Sequence, residues 1–322
     1  MNEFADILQC PVSGGALKWG AEGQLLGADG SSYQYSDGVV RLLSPDEAGF
    51  QDDQDSARVL QYYDSVGWSQ DETGIFGDTK AFTDTRSMSV RFSDRCIDRL
   101  GQHFTKGGKY LLDAGCGSIP HERVLHYGDE FDQRICVDIS VQGLMSARRK
   151  LGERGAYIQG SLTNLPLKSN SMDAITCNHV IYQIPAEFQK AAFLELWRVL
   201  KPGGVAIIVY VWPHAPFDRR AATLAKYLFG MTPSYPAAQD EANQRVFELP
   251  HNALPESWFE SQDWPFEYEI ETFRTVSQSF LKHHVTENHR GRAFLNTLYL
   301  LQRAFPHFCG KYGEMPAFIL RK

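Results

Sequence analysis

Along residues 109–212, short apolar runs alternate with amphipathic stretches, and the two periods predict a strand–helix alternation. KYLLDA, RICVDIS, AYIQGS, DAITCNHV and VAIIVYVW read as five strands. The last is apolar at nearly every position, as in a strand covered on both faces. Between them, VQGLMSARRKLG puts Val141, Leu144 and Leu151 on one helical face, and a long helix is predicted from 185 to about 200. LKPGG is expected to close that helix with glycine at its C-terminus. FEYEIETF alternates as a sixth strand at about 266–276, and MPAFILRK gives a seventh at 315–322. The pattern predicts an α/β fold with a doubly wound, seven-stranded, mostly parallel sheet.

The flanks read differently. Residues 1–43 alternate brief apolar runs with Gly- and Asp-rich turns, predicting a small β-rich domain. Residues 44–58 read as an acidic linker, and 59–322 as the main domain, with its core at about 106–212. Aromatics recur before that core at Tyr62, Tyr63, Trp68, Phe76, Phe82 and Phe92; they either cover a ligand or pack a helix on the sheet edge. Residues 213–265 are expected to be an irregular insertion over the active face, and 277–308 a helical insertion.

Composition narrows the classes. The chain has 322 residues, 43% of them apolar, and its longest apolar run is about eight residues, 205–212. A bilayer span needs roughly 20. The N-terminus MNEFADILQC has no basic segment followed by an apolar one, so a cytoplasmic location is expected. The six cysteines are scattered without a CxxC pair, as in free thiols of a reducing compartment. The formal charge of −7 is concentrated in residues 1–60, with ten acids against three bases, which argues against nucleic-acid binding there.

The candidate chemistry lies in LLDAGCG at 111–117. A strand ends in Asp113, and Gly115 and Gly117 let the turn approach a ligand. Asp138 ends the next strand twenty-five residues later, where an acid can accept the hydroxyls of an adenosine ribose.

LLDAGCG, CVDIS, YIQGSLTNLPL, SMDAITCNHVIYQIP and ELWRVLKPGG, in that order, resemble the motif set of class I S-adenosylmethionine-dependent methyltransferases over about 109–212. The resemblance implies a Rossmann-like core, S-adenosylmethionine as cofactor and S-adenosylhomocysteine as product. It implies that Asp113, Ala114, Gly115, Cys116 and Gly117 hold the methionine and ribose portion, and that Asp138 binds the ribose diol. Ile139 would lie on the adenine face, Ser161 and Leu162 at its edge, and Asn178 near the methionine end. Ser161 stands where relatives often carry Asp, and Ile119 replaces a small residue, implying a slightly wider turn. Residues 1–43 are similar to zinc-ribbon domains, but Cys10 stands alone and Ser13 takes the second cysteine's place, implying a degenerate, metal-free version.

Methyl transfer from a sulfonium needs alignment and exclusion of water, and a base only where the acceptor arrives protonated. His179 and Tyr182 are the catalytic candidates, His179 being alternatively a histidine packed under a lid. Tyr62, Tyr63, Trp68 and Trp212 are the candidates for the acceptor pocket. Between Arg274 and Arg303 five bases face one acid, so the acceptor could carry an acidic group or the face could simply be solvated. His283, His284 and His289 lack the HxxxH spacing of a helical metal site, and no metal is expected. The expectation is a small-molecule methyltransferase. The alternatives are an RNA methyltransferase with a ribbon-like targeting domain and a cofactor-binding relative that transfers no methyl.

Overall fold

The structure is a computed structural model and describes residues 4–20, 23–43, 54–214, 216–231 and 249–322. Four short N-terminal strands, β1 (Leu17–Trp19), β2 (Gln24–Gly27), β3 (Ser32–Ser36) and β4 (Val39–Arg41), form an antiparallel meander. Helix α1 (Gln54–Tyr62) runs into a π-turn, Tyr63–Gly67, and α2 (Gly77–Phe82) and α3 (Ser87–Gly101) follow. On α3 the residues Met88, Phe92, Cys96, Ile97 and Leu100 recur at helical spacing and are all buried, which is why this helix lies flat on the sheet.

The core then alternates as its hydrophobic pattern predicts. β5 (Gly108–Ala114), β6 (Phe131–Asp138), α4 (Val141–Leu151), β7 (Gly155–Gln159), β8 (Met172–Asn178), α5 (Ala186–Val199) and β9 (Leu200–Val209) come in order. Helices α6 (Pro216–Phe229) and α7 (Glu256–Ser261), strand β10 (Tyr268–Arg274), helices α8 (Gln278–His284), α9 (His289–Ala304) and α10 (Pro306–Tyr312), and strand β11 (Met315–Arg321) complete the chain. The core strands lie in the order β7-β6-β5-β8-β9-β11-β10, parallel from β7 to β9, with β11 antiparallel to both its neighbours. The α/β class is as expected; the strand count is not, since the sheet has eleven strands rather than seven.

Four expectations are revised. The N-terminal strands are not a separate unit. β4 pairs in parallel with β7, Val40 opposite Ile158, and the sheet continues to eleven strands because the exposed edge of β7 offers unpaired backbone groups that β4 satisfies. LKPGG does not cap α5: the cap is Leu200 in extended conformation, and Gly203, at φ 82°, sits in a bulged opening of β9 paired with β8. β9 stops at Val209 rather than at Trp212. The 213–265 stretch contains α6 and α7 where it is described. Residues 44–53 of the linker and 232–248 of the insertion lie outside the described residues; the linker's last residues already belong to α1.

The two larger apolar cores among the described residues lie on the two faces of the sheet. One joins Phe193 and Leu196 of α5 to Tyr210, Trp212, Phe259 and Phe318 and to Leu8, Leu17 and Leu25 of the N-terminal segment. The other joins α3 to Phe280, Phe294 and Leu298. No helix among the described residues is long and apolar enough to cross a membrane.

Candidate functional site

The strand order reverses between β5 and β8, and α/β sheets bind ligands at the carboxyl ends of the strands beside such a switch. A cavity of about 880 Å³ opens there. Its floor is the carboxyl ends of four strands: Asp113 and Gly115 after β5, Asp138 and Ile139 after β6, Ser161 and Leu162 after β7, and Asn178 and His179 after β8. Its roof comes from the segment around α1 and α2 (Val59, Tyr63, Trp68, Asp78, Phe82), from α3 (Ser93, Ile97), and from Phe273, Arg274, Gln278 and His251.

The glycine turn folds tightly. Gly115, Gly117 and Ile119 all have positive φ, at 71°, 49° and 49°. Glycine adopts this at no steric cost, whereas for a β-branched residue it is strained. At Ile119 the turn is held by hydrogen bonds: Ile119 N–H donates to Cys116 O at 2.9 Å and Lys150 Nζ donates to Ile119 O at 2.6 Å.

Asp138 ties this turn to the next strand. Gly117 N–H donates to its Oδ2 at 2.7 Å and Ser140 N–H to its Oδ1 at 2.8 Å. Each oxygen keeps a lone pair for a further donor. Burial pushes its pKa up to about 6, although the two N–H groups work against this. Ser140 also caps α4, accepting from Gly143 N–H at 3.0 Å, and its hydroxyl donates to Asp64 in the π-turn at 2.5 Å.

Asp113 has a different partner. Arg134 Nε donates to its Oδ2 at 2.9 Å, and the pair is buried. Ala114 faces the core, and burial pushes the Cys116 thiol upward. Gly117 is roofed by the Trp68 indole, which a Cβ there would strike. Trp68 stacks on Tyr63 with centroids 4.7 Å apart, and its buried Nε1–H has no acceptor among the described residues. The Ser161 hydroxyl turns back on its own loop, 2.7 Å from Thr163 Oγ1.

Of the catalytic candidates, His179 and Tyr182 both line the cavity. His179 has φ 62°, its ring lies 5.4 Å from Phe273, and its buried Nδ1 has no partner among the described residues. Burial, reinforced by Arg274 and His121, pushes its pKa down to about 3; His121, also in the lining, is pushed down to about 4, chiefly by burial. Both rings are therefore neutral, and His179 is too weak a base to hold a proton near neutral pH. Burial raises the Tyr182 phenol, leaving it a donor.

Of the pocket candidates, Tyr63 and Trp68 reach the cavity and Tyr62 and Trp212 do not. Tyr62 is turned onto Phe82, and Trp212 is held by the opposite core, where its Nε1 donates to Gly310 O at 2.8 Å. Of the basic stretch, only Arg274 enters the lining; Arg290, Arg292 and Arg303 are exposed. Arg274 donates to Val276 O and the Ser93 hydroxyl. Sequence reading missed Asp78 and His251, which belong to no motif, and had Phe82 only as one of the aromatics ahead of the core. Among the described residues no group of three His, Cys, Asp or Glu is placed to hold a metal ion. At the ribbon-like end, Cys10 Sγ is 3.2 Å from Tyr33 Oη, 3.4 Å from Ser31 Oγ and 3.3 Å from Asp29 Oδ2.

Residues 112–208, the centre of the sheet and the floor of the cavity, match the model of the methyltransferase domain family. The demethylmenaquinone methyltransferase of Renibacterium salmoninarum is 27% identical over 148 residues, covering 42% of this chain and 61% of that protein. The malonyl-[acyl-carrier protein] O-methyltransferase of Serratia marcescens is 31% identical over 108 residues, covering 34% of this chain and 40% of that one. The chain thus spans less than two thirds of these relatives. Among solved structures, a plantazolicin methyltransferase in complex with a triazolic desmethylPZN analog and SAH aligns with a TM-score of 0.46 and 16% identity, over 85% of this chain and 98% of that one. An S-adenosylmethionine-dependent methyltransferase from Archaeoglobus fulgidus aligns at 0.44 and 16%, over 73% and 95%.

Proposed function

We propose that the protein transfers a methyl group from S-adenosylmethionine to a small molecule bound in the roofed half of the cavity. The observation that carries this is a single cavity with the carboxyl ends of the strands as its floor and an aromatic roof over it. At about 880 Å³ the space lies near the top of the roughly 300–1,000 Å³ range of small-ligand sites, enough for a cofactor and an acceptor together. Asp138 suits the ribose end, since its buried carboxylate uses only one lone pair per oxygen on the backbone and lines the cavity. Ile139, Ser161 and Leu162 would flank the adenine, and Gly115 and Asn178 the methionine end.

When bound, the cofactor supplies an electrophilic methyl on a sulfonium. The chain's own residues then align and enclose the reactants: Trp68 and Tyr63 close the cavity from above, and Phe82, Phe273 and the neutral His179 give the acceptor half an apolar wall. The lining carries carboxyls at Asp78, Asp113, Asp138 and Glu314 against the single guanidinium of Arg274 among the described residues. An acidic acceptor would have Arg274 alone to meet it, which disfavours that reading.

Calorimetric titration with S-adenosylhomocysteine tests the cofactor half: one binding event per chain is expected, and none would refute it. Release of S-adenosylhomocysteine on addition of metabolite fractions tests transfer and separates an enzyme from a relative that only holds the cofactor.

A further inference from the structure

We propose that Asp78 is the acceptor-binding carboxylate, and that the acceptor is an amine held by it as an ammonium group between tyrosine rings and methylated on nitrogen. This deepens the methyltransferase reading and rests on it. Asp78 opens helix α2 and lines the cavity beside Tyr63, Phe82 and Tyr182. Among the described residues its carboxylate has no hydrogen-bond donor and no ion-pair partner. Among the described residues the groups that feel its charge are Tyr62 at the end of α1, Tyr63 at the start of the π-turn and Tyr182 after β8, and none of them is a cation. Lys80, on the same helix, is paired with Asp71.

A partly buried carboxylate without a partner is expensive unless a ligand supplies one. Carboxylate and aromatic faces together are the groups that hold an organic ammonium. The wall also reaches the transfer point. Gln183 Nε2 donates to Tyr63 Oη at 3.0 Å and to His179 O at 3.3 Å, linking the Asp78 side of the roof to the end of β8.

The step balances. The ammonium R–NH3+ gives one proton to the Asp78 carboxylate, leaving R–NH2. The nitrogen lone pair forms the new N–C bond while the C–S bond breaks and its electrons return to sulfur, giving R–NH2–CH3+ and S-adenosylhomocysteine. Asp78 then returns its proton to water. With its carboxyl raised by burial to about 6, Asp78 is a stronger base than an exposed aspartate, and His179 is far weaker.

The test uses 2-phenylethylamine, with 2-phenylethanol and 3-phenylpropanoate as neutral and anionic probes, each titrated calorimetrically with and without S-adenosylhomocysteine. The amine is expected to bind at least about tenfold more tightly than either control, and Asp78→Asn to remove that preference while Asp78→Glu keeps part of it. Affinity for the amine in the wild-type protein is expected to fall as pH drops through about 6 and the carboxyl takes a proton. Equal binding of amine and alcohol, or an unchanged preference in Asp78→Asn, overturns the proposal. So does loss of S-adenosylhomocysteine binding in Asp78→Asn, which would put the carboxylate on the cofactor's own ammonium. The cofactor titration of the wild-type protein reports separately on the methyltransferase reading.

Discussion

Replacing Asp138 by Asn separates what the carboxylate does for the fold from what it does for the ligand. In the fold, its two oxygens take the N–H groups of Gly117 and Ser140, and Asn can accept only one of them. An orphaned buried donor costs about 1–3 kcal/mol, part of which is returned because the buried charge disappears. In binding, two ribose hydroxyls would each donate to a charged acceptor, a bond worth about 1.5–3 kcal/mol against roughly half that for a neutral one. The loss on binding is therefore about 2–4 kcal/mol, or roughly 30- to 1,000-fold in Kd. Calorimetry with S-adenosylhomocysteine measures the second effect and thermal unfolding the first. A Kd for Asp138→Asn within about threefold of wild type, in a protein of unchanged Tm, would refute the assignment of the ribose to this carboxylate.

Four further outcomes follow from the same geometry. Arg134→Met leaves Asp113 buried without its partner and is expected to cost about 3–5 kcal/mol in denaturant unfolding, with much of the loss recovered in Arg134→Met combined with Asp113→Leu. Trp68→Ala removes the ring over Gly117 and its stack on Tyr63, lowering stability by about 3 kcal/mol and weakening S-adenosylhomocysteine binding; an unchanged Kd would free Trp68 from the cofactor's cover. Because burial raises Asp138 and Asp78, the folded protein holds protons that the unfolded chain releases. Their contribution to stability is full below pH ~4 and is lost as pH rises through about 6, while affinity for S-adenosylhomocysteine rises over that interval; parallel trends would contradict this. A zinc chelator is expected to leave Tm unchanged, since Cys10 is satisfied by Tyr33, Ser31 and Asp29.

The core was legible because its strands announce themselves twice, as apolar runs and as runs that end in Asp113, Asp138 or Asn178 at the face where ligands bind. The floor of the cavity follows from those endings. The roof does not. Asp78 lies in the polar stretch QDETGIFGDTK, where no period marks it, and only the fold of α1 and α2 over the strand ends brings it to the cavity. Trp212 follows an apolar strand as a pocket residue would, yet side chains alternate across a sheet and the core around Phe259 and Phe318 claims it. The pairing of β4 with β7 was hidden for a similar reason: it joins distant segments through backbone groups that carry no residue signature. Arg274 was visible only as one basic residue among five, and its burial beside Ser93 separates it from Arg290, Arg292 and Arg303, exposed on α9, and from the half-buried Lys282 on α8.

The central claim is that this cavity passes a methyl group from S-adenosylmethionine to a small molecule. Incubating the protein with methyl-labelled S-adenosylmethionine and an unfractionated cell extract, then separating low-molecular-weight compounds from RNA and protein, tests it most directly. The account predicts label in a low-molecular-weight product, lost in Asp138→Asn. Label recovered only in RNA or protein, or no transfer at all by a protein that binds S-adenosylhomocysteine, would contradict it.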